Sequence, residues 1–273
     1  DNFGAAVALA TDGSRALVGA PGDGRPGRLR HGTATVFLHT GTTWAEETIL
    51  SATDAATDDL LGTSVALSAD ASRALLGVGS DDVGAAMDAG SARVFSRTGT
   101  VWAEEATLVA SGGAASDSMG YSVALSGDGL RALVGVHGDD TTAGASAGSA
   151  RFFTRTGTTW VEAATLVAGD AAADDAFGRS VALDATGARA VVGVLNDDTI
   201  DGVDAGSARY FSLSGTTWTE RATLLGSPAA TSDRFGVSSA LASDGTRALV
   251  GAHLDDAVGF VDAGSATIFV LMP

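Results

Sequence analysis

Between Gly120 and Ala168 four short apolar runs alternate with polar turns. They read Ser-Val-Ala-Leu, Arg-Ala-Leu-Val-Gly-Val, Gly-Ser-Ala-Arg-Phe-Phe and Thr-Trp-Val-Glu-Ala-Ala-Thr-Leu-Val. Runs of this length, bounded by Gly, Asp and Thr clusters, predict β-strands, and no segment requires a helix. The passage recurs at a fixed interval. The glycine before the first run stands at Gly4, Gly62, Gly120, Gly178 and Gly236, 58 residues apart each time. Units 1–58, 59–116, 117–174, 175–232 and 233–273 follow, read together as a single domain, 1–273. Units of this period cannot bury an apolar face alone and must stack on one another.

Asp-Gly turns such as Asp12-Gly13, Asp128-Gly129 and Asp244-Gly245 join the first run to the second. Glycine there supplies the positive φ that a tight hairpin needs. The second run opens on Arg15, Arg73, Arg131, Arg189 and Arg247 and closes on Gly19, Gly77, Gly135, Gly193 and Gly251. The fourth carries Trp44, Trp102, Trp160 and Trp218, then Glu46, Glu104, Glu162 and Glu220, then Leu50, Leu108, Leu166 and Leu224. Strict alternation puts Trp, Glu and Leu on one face. An aromatic anchor mixed with carboxylates predicts an outer, partly wet edge strand.

Four strands with hairpin-length links make an antiparallel meander, and its bare face needs a neighbouring sheet. Radial stacking of such sheets is a β-propeller. The expected fold is therefore all-β: a five-bladed β-propeller of four-stranded antiparallel blades with a 58-residue repeat. Five full units would fill 290 positions, 17 more than the 273 present, so the last blade is expected to lack its outer strand, giving 19 strands. Asp1 falls inside the repeat pattern, which suits a mature domain or a segment of a longer chain.

The sequence Phe235-Gly236-Val237-Ser238-Ser239-Ala240-Leu241, followed by Leu249-Val250-Gly251 and Gly264-Ser265-Ala266 with Phe269, resembles the FG-GAP repeat. Unit 1 carries Phe3-Gly4 and Gly19-Ala20-Pro21, and the resemblance covers all five units. It implies the propeller of integrin α-subunits and of bacterial extracellular proteins. An extracellular or cell-surface location, a bacterial or archaeal origin and a role in adhesion or ligand binding are the matching expectations. Two departures stand out. Integrin-type propellers have seven blades, and their calcium loop between the first two strands is here a bare Asp-Gly turn, so calcium is not implied at that place.

The net charge of −17 comes with sixteen Arg and no Lys, and such a balance repels phosphate backbones, so nucleic acid is not an expected partner. No apolar run approaches the ~18 residues of a spanning helix, so membrane insertion is not expected either. The acids gather in two loop families. Asp59, Asp117, Asp175 and Asp233 precede the glycine anchor; Asp81, Asp82, Asp88, Asp139, Asp140, Asp197, Asp198, Asp204, Asp255, Asp256 and Asp262 follow the second run. The strand order places both families on one end. Those following the second run are candidate calcium ligands, because calcium takes six to eight oxygens, or else caps of turn N–H groups.

Trp44, Trp102, Trp160 and Trp218 are candidate sugar platforms or blade packing. The arginine that opens each second run is expected to pair with an acid of its own or an adjacent blade. Neither a nucleophile elbow, a P-loop nor a dinucleotide fingerprint is present, so no enzyme is expected. The reading is a non-enzymatic binding or adhesion propeller for a glycan or a protein, or alternatively a purely structural repeat module of a larger surface protein, stabilised by calcium. Unit-specific features, such as the basic loop with Arg25, Arg28 and Arg30, are where specificity is expected.

Overall fold

The computed structural model describes residues 1–24, 27, 29–227, 230–256 and 260–272. Arg25 and Arg28 of the basic loop lie outside the described residues; Arg30 makes an exposed ion pair with Asp58 at 3.2 Å.

Among the described residues every element is a strand, and the strands fall into five antiparallel blades. Blade 1 is β1 (Val7–Leu9), β2 (Arg15–Ala20), β3 (Thr33–Thr40) and β4 (Thr43–Leu50). Blade 2 is β5 (Leu61–Leu67), β6 (Arg73–Val78), β7 (Ser91–Thr98) and β8 (Val101–Leu108). Blade 3 is β9 (Val123–Leu125), β10 (Arg131–Val136), β11 (Ser149–Thr156) and β12 (Thr159–Leu166). Blade 4 is β13 (Phe177–Leu183), β14 (Arg189–Val194), β15 (Ser207–Ser214) and β16 (Thr217–Leu224). Blade 5 has three strands, β17 (Phe235–Leu241), β18 (Arg247–Ala252) and β19 (Ser265–Val270). The fold class is that of a five-bladed propeller, with the short last blade and, among the described residues, the 19 strands that the repeat arithmetic predicts. By backbone contact the chain forms two compact units, one of residues 1–134 with 153–162 and the other of residues 135–152 with 163–273.

One expectation about the outer strand fails. A β-bulge interrupts the pairing of β7 with β8: Phe95 faces Glu104, Val94 faces Ala106, and Glu105 is the extra residue. The same bulge falls at Glu47 in blade 1 and Arg221 in blade 4. An extra residue resets the two-residue alternation. Trp102 and Glu104 therefore share a face with Arg97 and Phe95, whereas Leu108 lies on the opposite face with Val94 and Ala92. Trp, Glu and Leu do not share one face.

The two faces pack on each other from blade to blade. In the first unit Leu17, Val36 and Leu50 of blade 1 meet Leu76, Phe95 and Trp102 of blade 2. In the second, Tyr210 and Leu224 of blade 4 join Phe235, Val250 and Phe269 of blade 5. Backbones also touch. A Cβ on Gly19, Gly77 or Gly193 would overlap the carbonyl oxygen of Gly62, Gly120 or Gly236 in the next blade. Only glycine permits that approach, which explains its place at the end of these three second runs.

Candidate functional site

The two acidic loop families are brought together, and their carboxylates are engaged by protein groups. Asp59, Asp117, Asp175 and Asp233 each accept the N–H of the residue three before, Ala56, Ala114, Ala172 and Ala230, at 2.5 to 2.7 Å. Asp82, Asp140, Asp198 and Asp256 accept the N–H groups of Asp88, Ser146, Asp204 and Asp262 at 2.8 to 3.0 Å. Asp88, Asp204 and Asp262 sit at positive φ, so three of the sequence candidates are turn residues by backbone geometry. Asp255 supplies its backbone carbonyl to Gly264 N–H. Among the described residues no three His, Asp or Glu side chains converge as a cation cage. Burial, with Asp197, Asp170 and Asp198 nearby, pushes the Asp175 carboxyl up to about 6 against the Ala172 hydrogen bond.

A buried arginine escapes a reading that looks only at the acids. Arg93, Arg151 and Arg209, from the Gly-Ser-Ala-Arg start of the third strand, are buried. Their guanidinium groups meet Asp81, Asp139 and Asp197 at 2.6 to 2.8 Å. Ser91, Ser149 and Ser207 donate to the same aspartates at 2.5 Å. Arg93 also reaches Asp54 at 2.8 Å and Glu104 at 3.2 Å; Arg209 reaches Asp170 at 2.9 Å. These aspartates neutralise a buried cation, a task that buried charges require. The signal was present: Arg recurs at 93, 151 and 209, whereas Thr35 and Thr267 hold that position in units 1 and 5.

The tryptophans join neighbouring blades. Trp102 Nε1 donates to Glu47 at 3.2 Å, and Trp160 Nε1 to Glu105 at 2.9 Å. Each glutamate also binds the arginine that opens the second strand of its own blade: Arg15–Glu47 at 2.8 Å and Arg73–Glu105 at 3.2 Å. The Arg97 guanidinium lies 5.9 Å from the centre of the Trp102 ring. Trp218 meets Phe152 edge-on with centroids 5.0 Å apart, and its buried Nε1 has no acceptor among the described residues. Trp44 alone of the four is exposed, tilted against His39 at 4.8 Å. Three of the four candidate platforms are thus half-buried at blade joints.

The residue at this repeat position differs from unit to unit: Glu47, Glu105, Ala163, Arg221. The bulge aims it out of the regular alternation into the joint. In blades 1 and 2 it closes an Arg–Glu–Trp arrangement. In blade 4 the charge is reversed. Arg189 and Arg221 both line a cleft of about 690 Å³ with Tyr210, Leu213, Asp244 and Met272. Arg189 Nη1 donates to the Asp244 carbonyl at 3.0 Å and Arg221 Nε to Ser212 Oγ at 2.7 Å. Neither has a carboxylate within ion-pair distance among the described residues. The acids of the rim are held by their own turns: Asp184 accepts from Ala188 N and Arg189 N, and Asp244 from Thr246 N. The cleft therefore offers two guanidinium groups beside a tyrosine wall, a donor array suited to carboxylates.

The family comparison agrees with this frame. A model of the FG-GAP repeat matches residues 44–95, 102–153, 160–211 and 218–269, each span running from one outer strand to the third strand of the next blade. No individual curated protein matches alongside it. With four successive repeats over most of its length and a 58-residue period expressed as blades, the chain belongs to the FG-GAP repeat family.

Proposed function

We propose that this chain is a non-enzymatic, extracellular binding module whose blade 4 cleft takes a carboxylate-bearing ligand, on an acidic glycan or an acidic stretch of a protein. One observation carries the reading: Arg221 stands where Glu47 and Glu105 stand in blades 1 and 2, leaving Arg189 and Arg221 together without a carboxylate among the described residues. Arg presents five N–H donors in a planar fork, and a carboxylate satisfies two at once. The overall charge of −17 disfavours anions, but its field is largely screened beyond a Debye length of ~8 Å at physiological salt, so recognition is decided by the groups at short range. The test is an array of uronate- and sialate-type glycans and acidic peptides, with neutral sugars as controls. Retention of acidic ligands that Arg221→Ala loses supports the reading. No retention at millimolar ligand sinks it and leaves a structural repeat module, which the recurrent blade joints favour.

A further inference from the structure

The outer strands of blades 2 and 3 border a hollow of about 310 Å³. Its wall is largely apolar: the Trp160 indole, the Phe153 ring, Val109 and Val161, with Ser111 and Glu162 adding polar groups. All six belong to the unit of residues 1–134 with 153–162, and none lines the blade 4 cleft.

Trp160 is half-buried, and its orientation is set by a bond on the far side of its ring system from solvent chemistry. Its Nε1 donates to Glu105 at 2.9 Å, and Glu105 is itself held by Arg155 Nε at 2.6 Å and Arg73 Nε at 3.2 Å. With the N–H committed, the indole meets the hollow with carbon surface. Val109 and Val161 are 41% and 52% exposed, so apolar surface lies open to water at the rim. An aromatic wall already fixed by its neighbours loses little freedom when a ligand arrives.

Glu162 Oε2 accepts the Ser111 N–H at 2.8 Å. An ionised carboxylate has about four lone-pair sites, so one backbone N–H does not exhaust it. A carboxylate beside an apolar wall suits a ligand with a patch of C–H groups and O–H donors around its edge. A pyranose ring is built that way, and the volume, at the lower end of the range of about 300–1,000 Å³ for small-molecule sites, suits one ring. Among the described residues no cationic side chain lines the hollow, and Glu162 opposes a second carboxylate.

The repeat makes the same place at other joints and lines it differently. Ser51 and Ala103 stand at the Val109 and Val161 positions between blades 1 and 2, and Val167 and Thr219 between blades 3 and 4. The hollow between blades 3 and 4, about 370 Å³, keeps Gly169 and Glu220 at the Ser111 and Glu162 positions but is lined by Asp170, Arg209 and Arg221. Of these three joints only that of blades 2 and 3 sets two valines beside its tryptophan.

We infer that this hollow binds a neutral pyranose, one C–H face of the ring against Trp160, Val109 and Val161 and its hydroxyls donating to Glu162. The site takes a different ligand class from the blade 4 cleft and does not depend on it.

The test titrates the intact chain with methyl glucoside, methyl galactoside and methyl mannoside, read by calorimetry and by saturation-transfer NMR. At least one should bind, with Kd on the order of a millimolar for a single ring in an open hollow. Val161→Asp and Val109→Asp each put a charge at an exposed rim position. Each should weaken that binding by about tenfold or more while the urea midpoint stays at the wild-type value. Arg221→Ala should leave it unchanged, which separates this hollow from the blade 4 cleft. In the Arg221→Ala protein the uronate form of the bound sugar should bind about tenfold more weakly than the neutral form. Silence of all three glycosides at about 50 mM overturns the proposal. So does binding that keeps its strength in both rim variants, binding lost in Arg221→Ala, or a uronate held there as tightly as the neutral ring.

Discussion

Glu105 is the point at which blades 2 and 3 are tied, and its removal measures what that tie is worth. Its carboxylate accepts Trp160 Nε1 at 2.9 Å and Arg155 Nε at 2.6 Å, and pairs with Arg73 Nε at 3.2 Å. All three side chains are largely but not fully buried, with 11% of Glu105, 16% of Arg73 and 14% of Arg155 exposed. Glu105→Ala leaves two guanidinium groups and an indole N–H facing an empty acceptor. Removing one partner of a fully buried ion pair costs about 3–5 kcal/mol, and the partial access of both arginines to water lowers the expectation to about 3 kcal/mol. For a chain of this size that corresponds to roughly 6–12 °C in Tm. Glu105→Gln keeps an acceptor for Trp160 and should lose about half as much. Urea titration followed by tryptophan fluorescence reads both.

The pH dependence provides an internal check. Burial works against the Glu105 charge, but the Trp160, Arg155 and Arg73 contacts prevail and hold its carboxyl below the ordinary range. A depressed carboxyl contributes stability that is present above its unfolded value and lost as pH falls through the folded one. The penalty of Glu105→Ala should therefore be full at pH 7 and shrink in acid. A cost below about 0.5 kcal/mol at pH 7 would refute the reasoning and mean that apolar packing alone holds the joint.

Other outcomes follow from the same geometry. Ala163→Glu places a carboxylate at the bulge position whose counterparts accept Trp102 and Trp160, so Trp218 Nε1 should gain a partner and the urea midpoint should rise by about 1 kcal/mol equivalent. Asp175→Asn keeps an acceptor for Ala172 N–H and removes a charge that burial and neighbouring carboxylates disfavour. With the folded value raised to about 6, the native state binds the proton more tightly, so the wild-type contribution is full below the unfolded value near 3.8 and is lost as pH rises through 6. Asp175→Asn should thus stabilise by about 1 kcal/mol at pH 8, discounted for solvent screening, and be neutral near pH 4 in paired urea titrations. Because the loop aspartates are occupied by N–H groups, serines and arginines, melting curves in calcium and in chelator should differ by less than ~1 °C.

The blade plan was legible because it rests on short-range chemistry. Asp-Gly turns, apolar runs and a constant spacing specify hairpins and their stacking, and the short last blade follows from counting. The bulge was not legible. Alternation assumes one residue per partner, and nothing in Phe-Ser-Arg-Thr or Trp-Ala-Glu-Glu marks Glu105 as the extra one. With the bulge hidden, alternation groups Glu46 and Glu104 with the tryptophans on one face, whereas Glu47 and Glu105 are the residues that bind the indoles of the next blade. The second-strand arginine was expected to pair with an acid, and Arg15 and Arg73 do so; Arg189 does not, because the bulge position beside it is Arg221. That reversal was visible as a letter in the repeat. Its meaning needed the structure, which brings positions 32 residues apart into one joint.

The central claim is that blade 4 exchanges a structural ion pair for a binding site, and Arg221→Glu tests it in one protein. The substitution rebuilds the Arg–Glu pair of blades 1 and 2 across the same bulge. Measured together by urea titration and by calorimetric titration with an acidic ligand retained by the wild type, stability should rise by about 1 kcal/mol while binding is lost. Undiminished binding in Arg221→Glu would contradict the account.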